Sequence, residues 1–320
     1  MLHNQRILVT GAAGFIGSHV VDTLLAAGCS VVGIDNFDRA DPRSVKHGNL
    51  RQALASNHFE LVDGDICDQN VVAELFASAT PFDAVIHLAA RVGVRPSLQE
   101  PLAYEYTNVH GTLVLLEAAI AQKPSPRFVF GSSSSVYGNG LRLPLRESDP
   151  ADTPISPYAA TKRSGELLCR CYHEQFGLDV FCLRLFTVYG PRLRPDLAIY
   201  RFTQRVLAGD SIPMYGDGSS SRDYTFVGDV ARAFTAAVAV CSGFEVINIG
   251  GEHPITLTEM IHLVGEACGR GVDVHQLPPQ DGDVLHTYSE SLKARQMLGF
   301  EPKTSFVDGL SQFVSWYRAQ

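Results

Sequence analysis

The 320-residue chain has no apolar run long enough to cross a membrane. A spanning helix needs about 20 largely uncharged residues, and the most apolar stretch here, Thr112 to Ala121, is interrupted by Glu117. Nothing ahead of the first strand, which begins almost at Met1, resembles a signal peptide, so a cytoplasmic protein is expected. Cysteine is sparse: seven residues lie scattered, and Cys169 and Cys171 fall on different faces of one helix. That spacing suits reduced thiols in a cytosol rather than a disulfide framework or a zinc site. The eleven histidines form no H-E-x-x-H or comparable set, so no metal is expected. Basic residues are outnumbered, with 26 Lys and Arg against 34 Asp and Glu and a net charge of −8. This argues against a nucleic-acid partner and requires any anionic substrate to be met by arginines gathered locally. There is no internal repeat and no low-complexity tract.

What is present begins at the N-terminus. Arg6 to Thr10 reads as a buried parallel strand, Gly11-Ala12-Ala13-Gly14-Phe15-Ile16-Gly17 follows, and Ser18 to Ala27 continues as an apolar helix ended by Gly28. A second strand, Ser30 to Ile34, ends at Asp35 and Asn36. Glycines between strand and helix let backbone amides approach a pyrophosphate, and an acid at the next strand end accepts from the adenine-ribose hydroxyls. Asp35 has no arginine directly beside it, which favours NAD over NADP because a 2′-phosphate would be repelled.

The first half alternates further strands (His58 to Gly64, Asp83 to Ala89, Arg127 to Ser132, Asp179 to Leu185) with helices (Asn70 to Ala79, Pro101 to Gln122, Pro157 to Phe176). That alternation predicts an α/β, doubly wound parallel sheet with its ligands beyond the carboxyl ends of the strands. Past Leu185 the texture changes to long polar loops, Pro191 to Pro195, Tyr215 to Tyr224 and Pro278 to Asp283, between shorter elements. Val227 to Gly250 is expected to return to the main sheet with a helix and the strand Glu245 to Ile249. The expected division is therefore discontinuous: residues 1–186 and 226–250 form an NAD-binding Rossmann domain, and residues 187–225 and 251–320 a smaller α/β substrate domain.

Tyr158 and Lys162 stand four residues apart behind Ser156 and Pro157. Serine caps a helix and proline suits its first position, so both side chains fall on one face. A neighbouring ammonium and the positive end of the helix dipole favour the phenolate, giving a general acid/base for a sugar hydroxyl. A surface tyrosine with a solvated lysine is the plain alternative, made less fitting by the dinucleotide signature ahead of it.

Taken in order, Thr10 to Gly17, Asp63-Gly64-Asp65-Ile66, His87-Leu88-Ala89-Ala90, Asn108 to Thr112, Ser132 to Gly138, Tyr158 to Lys162 and Arg222-Asp223-Tyr224 span nearly the whole chain. This series resembles the extended short-chain dehydrogenases/reductases, in their nucleotide-sugar epimerase and dehydratase branch. The resemblance implies that Asp65 and Ile66 sit at the adenine, that Leu88, Ala89 and Ala90 line the cofactor cleft, and that Asn108 lies beside it. It further implies that Tyr158 and Lys162 are catalytic and that Ser133 hydrogen-bonds the reacting oxygen. Dehydratases of the branch carry an Asp-Glu pair after that hydroxyl residue, and decarboxylases a Glu where Ser135 stands. Here Ser133-Ser134-Ser135 offers no carboxylate. A 4-epimerase is the reading that fits, in which the sugar is oxidised at C4, turns over, and is reduced on its other face.

The block Phe186 to Ala198, with Thr187, Arg192, Arg194, Leu197 and Ala198 assigned to the substrate site, resembles UDP-glucuronate 4-epimerases. UDP-glucose 4-epimerases usually have Asn in place of Thr187 and no such arginine pair. By the same resemblance Arg222 grips the diphosphate, Tyr215 stacks on the uracil and Asp283 meets the uridine ribose. Arg194 is expected to anchor the uronate carboxylate, with Arg192 supporting the loop or the phosphates. Other readings stay open: a UDP-glucose or UDP-N-acetylhexosamine 4-epimerase, a UDP-glucuronate decarboxylase, and a non-catalytic NAD-binding regulator. Relatives commonly form homodimers by pairing the helices at Pro101 to Gln122 and Pro157 to Phe176.

Overall fold

A computed structural model describes residues 2–38, 42–139, 142–278 and 285–320. Its main sheet holds seven parallel strands in the order β10-β6-β5-β4-β1-β2-β3. They are β1 (Arg6–Thr10), β2 (Ser30–Asp35), β3 (Phe59–Asp63), β4 (Ala84–His87), β5 (Arg127–Ser133), β6 (Val180–Leu185) and β10 (Phe244–Ile249). The intervening strands β7 (Thr187–Tyr189), β8 (Ile212–Tyr215) and β9 (Ser221–Phe226), with β11 (Pro254–Thr256) and β12 (Val274–Leu277), make a three-stranded and a two-stranded sheet.

Helices α1 (Phe15–Ala26), α2 (Arg43–Asn49), α3 (Arg51–Leu54), α4 (Gln69–Phe76), α5 (Val94–Gln99), α6 (Pro101–Glu105), α7 (Gly111–Ala121) and α8 (Pro157–Phe176) fill the connections of the first half. The rest are α9 (Ala198–Ala208), α10 (Val227–Val240), α11 (Leu257–Cys268), α12 (Leu292–Leu298) and α13 (Phe306–Arg318). Alternation along the strands feeds two cores. Ile7, Val9, Val31 and Val129 face α1 and α10, whereas Leu8, Val32, Val85 and Phe128 face α7 and α8. A third core joins β7, α9, α11 and α13, and it includes Phe15 from the start of α1.

The order of the sheet reverses between β1 and β4, which pair in parallel with each other. A crevice opens there beyond the strand ends, and the sequence motifs collect around it. As expected, β10 returns to the sheet and pairs with β6. Two expectations are corrected. The helix from Pro101 to Gln122 is interrupted by a π-turn, Tyr106–His110, whose wider coil carries Asn108. The polar stretch Tyr215 to Tyr224 is not all loop, because Ser221–Phe226 pairs with β7 and β11 as a central strand.

Candidate active site

The glycine loop forms a close backbone cradle. Gly11 has φ +67°, and a Cβ there would lie 2.8 Å from the Ala89 nitrogen; one on Gly17 would lie 2.1 Å from the Gly11 oxygen. No side chain caps α1, so its first-turn amides are left for an anion. The Thr10 hydroxyl accepts from the Leu88 and Ala89 amides at 3.1 and 3.0 Å, which turns residues 88–90 away from the β4 ladder and ends that strand at His87. It also meets His87 Nδ1 at 2.8 Å, while His87 Nε2 meets Thr112 Oγ1 at 2.9 Å. Thr112 donates onward to the Asn108 carbonyl at 2.6 Å. That direction of donation places the histidine proton on Nε2. Burial, then the charge of Lys162, pushes His87 down to about 3, so the ring is neutral. The Asn108 side chain accepts from Arg91 N and donates to Arg91 O and Thr161 Oγ1, pinning the β4 loop to α8.

At the end of β2 the buried Asp35 carboxylate accepts from Ala13 N (3.0 Å), Phe37 N (2.9 Å) and Lys46 Nζ (3.0 Å). A carboxylate offers about four acceptor positions, so one remains for a ribose hydroxyl. Lys46 has no motif of its own in the sequence; it reaches Asp35 because α2 folds back over the strand end. Asn36 donates to Asp65 at 3.0 Å, and Asp65 also accepts from Cys67 N at 2.8 Å. Burial raises the Asp65 carboxyl, but these bonds hold it below the usual range. Ile66 is buried behind it. Glycine cradle, uncapped helix and Asp35 together fit a dinucleotide.

Ser156 caps α8 by accepting from Ala159 N at 3.1 Å, with Pro157 at the first position. Tyr158 is half-buried in the first turn, facing Ser133 at the end of β5. Lys162 is buried one turn on, donating to the Gly131 carbonyl at 2.7 Å. Burial raises the Tyr158 phenol, and the groups that act against it are the Ser133 hydroxyl and the Arg194 charge. Lys162 donates one of its three protons to the Gly131 carbonyl, and burial lowers it to about 8 against the smaller opposing effects of Cys169 and Glu166.

Ser134 and Ser135 follow Ser133 in a 3-10 turn, half-buried, with Ser133 accepting from Ser135 N. Beneath them, Ser132 donates to Glu166 at 2.5 Å, and Glu166 holds Arg184 through two bonds of 2.9 Å. This buried pair was not visible as such in the sequence; the signal was Glu166 one helical turn after Lys162.

On the substrate side, Thr187 is half-buried at the start of β7. Arg194 forms a two-pronged bond to Asp196 at 3.0 and 2.8 Å, and its charge reaches both Tyr158 and Tyr104. Arg192 instead pairs with Asp22 of α1 at 2.8 Å. Leu197 and Ala198 begin α9. Tyr215 is exposed at the end of β8. Arg222 donates to the carbonyls of Ser221 and Leu285. Its neighbour Asp223 is fully buried, accepting from Gly251 N and Ser289 N, and braces the loops instead of facing the cleft. Asp283 lies outside the described residues. Among the described residues no group of three or more His, Cys, Asp or Glu is arranged to hold a metal ion.

The chain is similar to known proteins over nearly its whole length. A UDP-glucuronate 4-epimerase of Thermodesulfobacterium geofontis is 39% identical over 310 residues, covering 97% of this chain and 95% of the relative. UDP-glucuronate 4-epimerase 1 of Arabidopsis thaliana is 37% identical, covering 97% of this chain and 76% of that protein. The crystal structure of a Bacillus cereus UDP-glucuronic acid 4-epimerase with UDP-glucuronic acid and NAD superposes with a TM-score of 0.92 at 36% identity, covering 98% of this chain and 99% of that one. A Thermotoga maritima UDP-glucose 4-epimerase with UDP-glucose gives 0.89 at 35% identity, with the same coverage. Residues 7–250 match the model of one family, and the chain therefore belongs to the NAD dependent epimerase/dehydratase family.

Proposed function

We propose that this protein is an NAD-dependent 4-epimerase that interconverts UDP-glucuronate and UDP-galacturonate through a 4-keto sugar. One observation carries the reading: the charge of Arg194 acts on the Tyr158 phenol across from Ser133, and no carboxylate follows that serine. A cation is thus set beside the acid/base group, and the carboxylate pair an elimination requires is missing from the serine run.

The Gly11–Gly17 cradle, Phe15, Ile16, Asp35, Asn36, Asp65, Ile66 and residues 88–90 would hold NAD. NAD, when bound, would supply reversible oxidation. Tyr158 takes the proton of the sugar 4-hydroxyl and later returns it, while Ser133 orients that oxygen. Lys162, fixed to Gly131, sets a cation under the site. Oxidation at C4 of a uronic acid leaves a β-keto acid, which loses carbon dioxide if its carboxylate aligns with the carbonyl π system. Holding that carboxylate out of alignment falls to Arg194, Thr187 and the hydroxyls of Ser133, Ser134 and Ser135. The grip of Arg194 on Asp196 displays the required geometry, a guanidinium fork closed on a carboxylate. Charge-assisted bonds of this kind contribute roughly 1.5–3 kcal/mol each. Arg222 and Tyr215 are assigned to the diphosphate and the uracil.

The chain is divided as residues 1–186 with 226–250, and 187–225 with 251–320, a division supported by the place of β10 in the main sheet. A homodimer is supported by the exposed Leu102 and Tyr106 beside α7 and Leu167 and Phe176 on α8. No helix among the described residues is long and apolar enough to cross a membrane; with seven free cysteines, this supports a cytoplasmic site. The test is direct. Purified protein is incubated with UDP-glucuronate and, separately, UDP-glucose, and each product is identified by NMR. UDP-galacturonate from the first supports the proposal; a pentose product would assign a decarboxylase, and turnover of UDP-glucose alone a hexose epimerase.

A further inference from the structure

The loop that carries Arg194 is fastened to the cofactor-cradling helix at three points. Arg192 pairs with Asp22 at 2.8 Å, and both side chains are about four-fifths buried, at 18% and 19% exposure. His19 Nε2 donates to the Pro191 carbonyl at 2.9 Å. Phe15, the first residue of α1, shares a core with Leu193 and packs edge-on against His19. Burial, then the charge of Arg192, pushes His19 down to about 4, so it is a neutral donor at physiological pH.

Arg192 adopts φ +66°, a left-handed conformation that a branched-free arginine takes only when its surroundings hold it there. Asp22 Oδ1 and Arg192 Nη1 have no hydrogen-bond partner among the described residues, so neither charge has a ready substitute if the other is removed. Two residues after this fastening comes Arg194, whose carbonyl accepts from Leu197 N at 3.2 Å to close the turn.

We infer that Asp22 and Arg192 are positioning residues: from the helix that seats the cofactor, they fix where Arg194 can meet a carboxylate and so set selectivity for a uronic acid. The inference rests on the proposed function for the identity of the sugar. It differs from a general stabilising role because a strap on α1 would act on the carboxylate-bearing substrate and leave its neutral analogue alone.

Asp22→Ala, Asp22→Asn and the exchanged pair Asp22→Arg with Arg192→Asp are compared with the unaltered full chain. Affinities for UDP-glucuronate and UDP-glucose are read by calorimetry, kcat and KM for UDP-glucuronate by NMR, bound NAD by absorbance, and amide exchange over residues 190–198 by mass spectrometry. Expected for Asp22→Ala are a tenfold or larger loss of UDP-glucuronate affinity, mainly in KM, an unchanged affinity for UDP-glucose, unchanged NAD content and faster exchange over 190–198. The exchanged pair should recover part of the loss. Equal loss on both sugars, or exchange and affinity ratio both unchanged, overturns the inference. If the unaltered protein fails to turn over UDP-glucuronate, the proposed function falls, while the exchange and affinity arms still decide the role of Asp22.

Discussion

Replacing Lys162 by methionine should stabilise the protein while disabling it. Burial lowers this lysine from its ordinary 10.5 to about 8. A fall of that size corresponds to about 3 kcal/mol by which the folded chain disfavours the ammonium. Methionine removes that cost and also the bond to the Gly131 carbonyl, worth about 1–2 kcal/mol, so a net gain of about 1–2 kcal/mol remains at pH 7. For a chain of 320 residues this raises Tm by about 2–3 °C. The pH dependence gives the sharper test. Between about 8 and 10.5 the unfolded chain holds the lysine proton while the folded chain has released it, so the native protein gains stability from this group as pH rises. The penalty is full below pH 8 and vanishes above 10.5. The advantage of about 2–3 °C at pH 7 should therefore vanish or change sign by pH 9.5. Scanning calorimetry on nucleotide-stripped protein measures it. A variant less stable than the native chain at pH 7, or a difference that ignores pH, would refute the reasoning.

Tyr158→Phe removes the only proton carrier assigned to the sugar hydroxyl, and the epimerisation rate followed by NMR should fall about 10²–10⁴-fold with Tm unchanged within a degree or so. Gly17→Ala would set a methyl 2.1 Å from the Gly11 oxygen, a backbone atom that cannot move aside; NAD affinity measured by calorimetry should drop at least a hundredfold. Arg194→Ala should weaken UDP-glucuronate far more than UDP-glucose in parallel titrations. Unchanged discrimination between the two removes Arg194 from the carboxylate site.

The parts of the fold written in local chemistry were legible. Strand β1 and helix α8 fall where the apolar run, the serine cap and Pro157 place them, and Asp35 stands at a strand end as its motif requires. What stayed hidden is charge used in the interior. Lys46, Glu166, Arg184 and Asp223 are all buried, and a single sequence names no partner for any of them. Their partners lie on other elements: Glu166 meets Arg184 from a neighbouring strand, and Lys46 meets Asp35 only once α2 has folded back. His87 lay within a motif read for the three residues after it, although the ring itself links β1 to α7. The π-turn leaves no local signature for a related reason. Its wider coil is held by the three side-chain bonds of Asn108, none of them to a residue of its own helix.

The return of the chain from β7 to β9 has a consequence for how such enzymes diversify. The two strands run in parallel and side by side, Thr187 opposite Tyr224 and Tyr189 opposite Phe226, so the excursion between them leaves at the carboxyl end of β7 and crosses back to the opposite end of the pair to begin β9. A replacement cassette of different length could be spliced there without shifting the register of the large sheet. New sugar preferences can then arise by exchanging that insert, whereas a transplant of the first 186 residues alone would strip β6 of its outer neighbour and leave an apolar edge open to self-association.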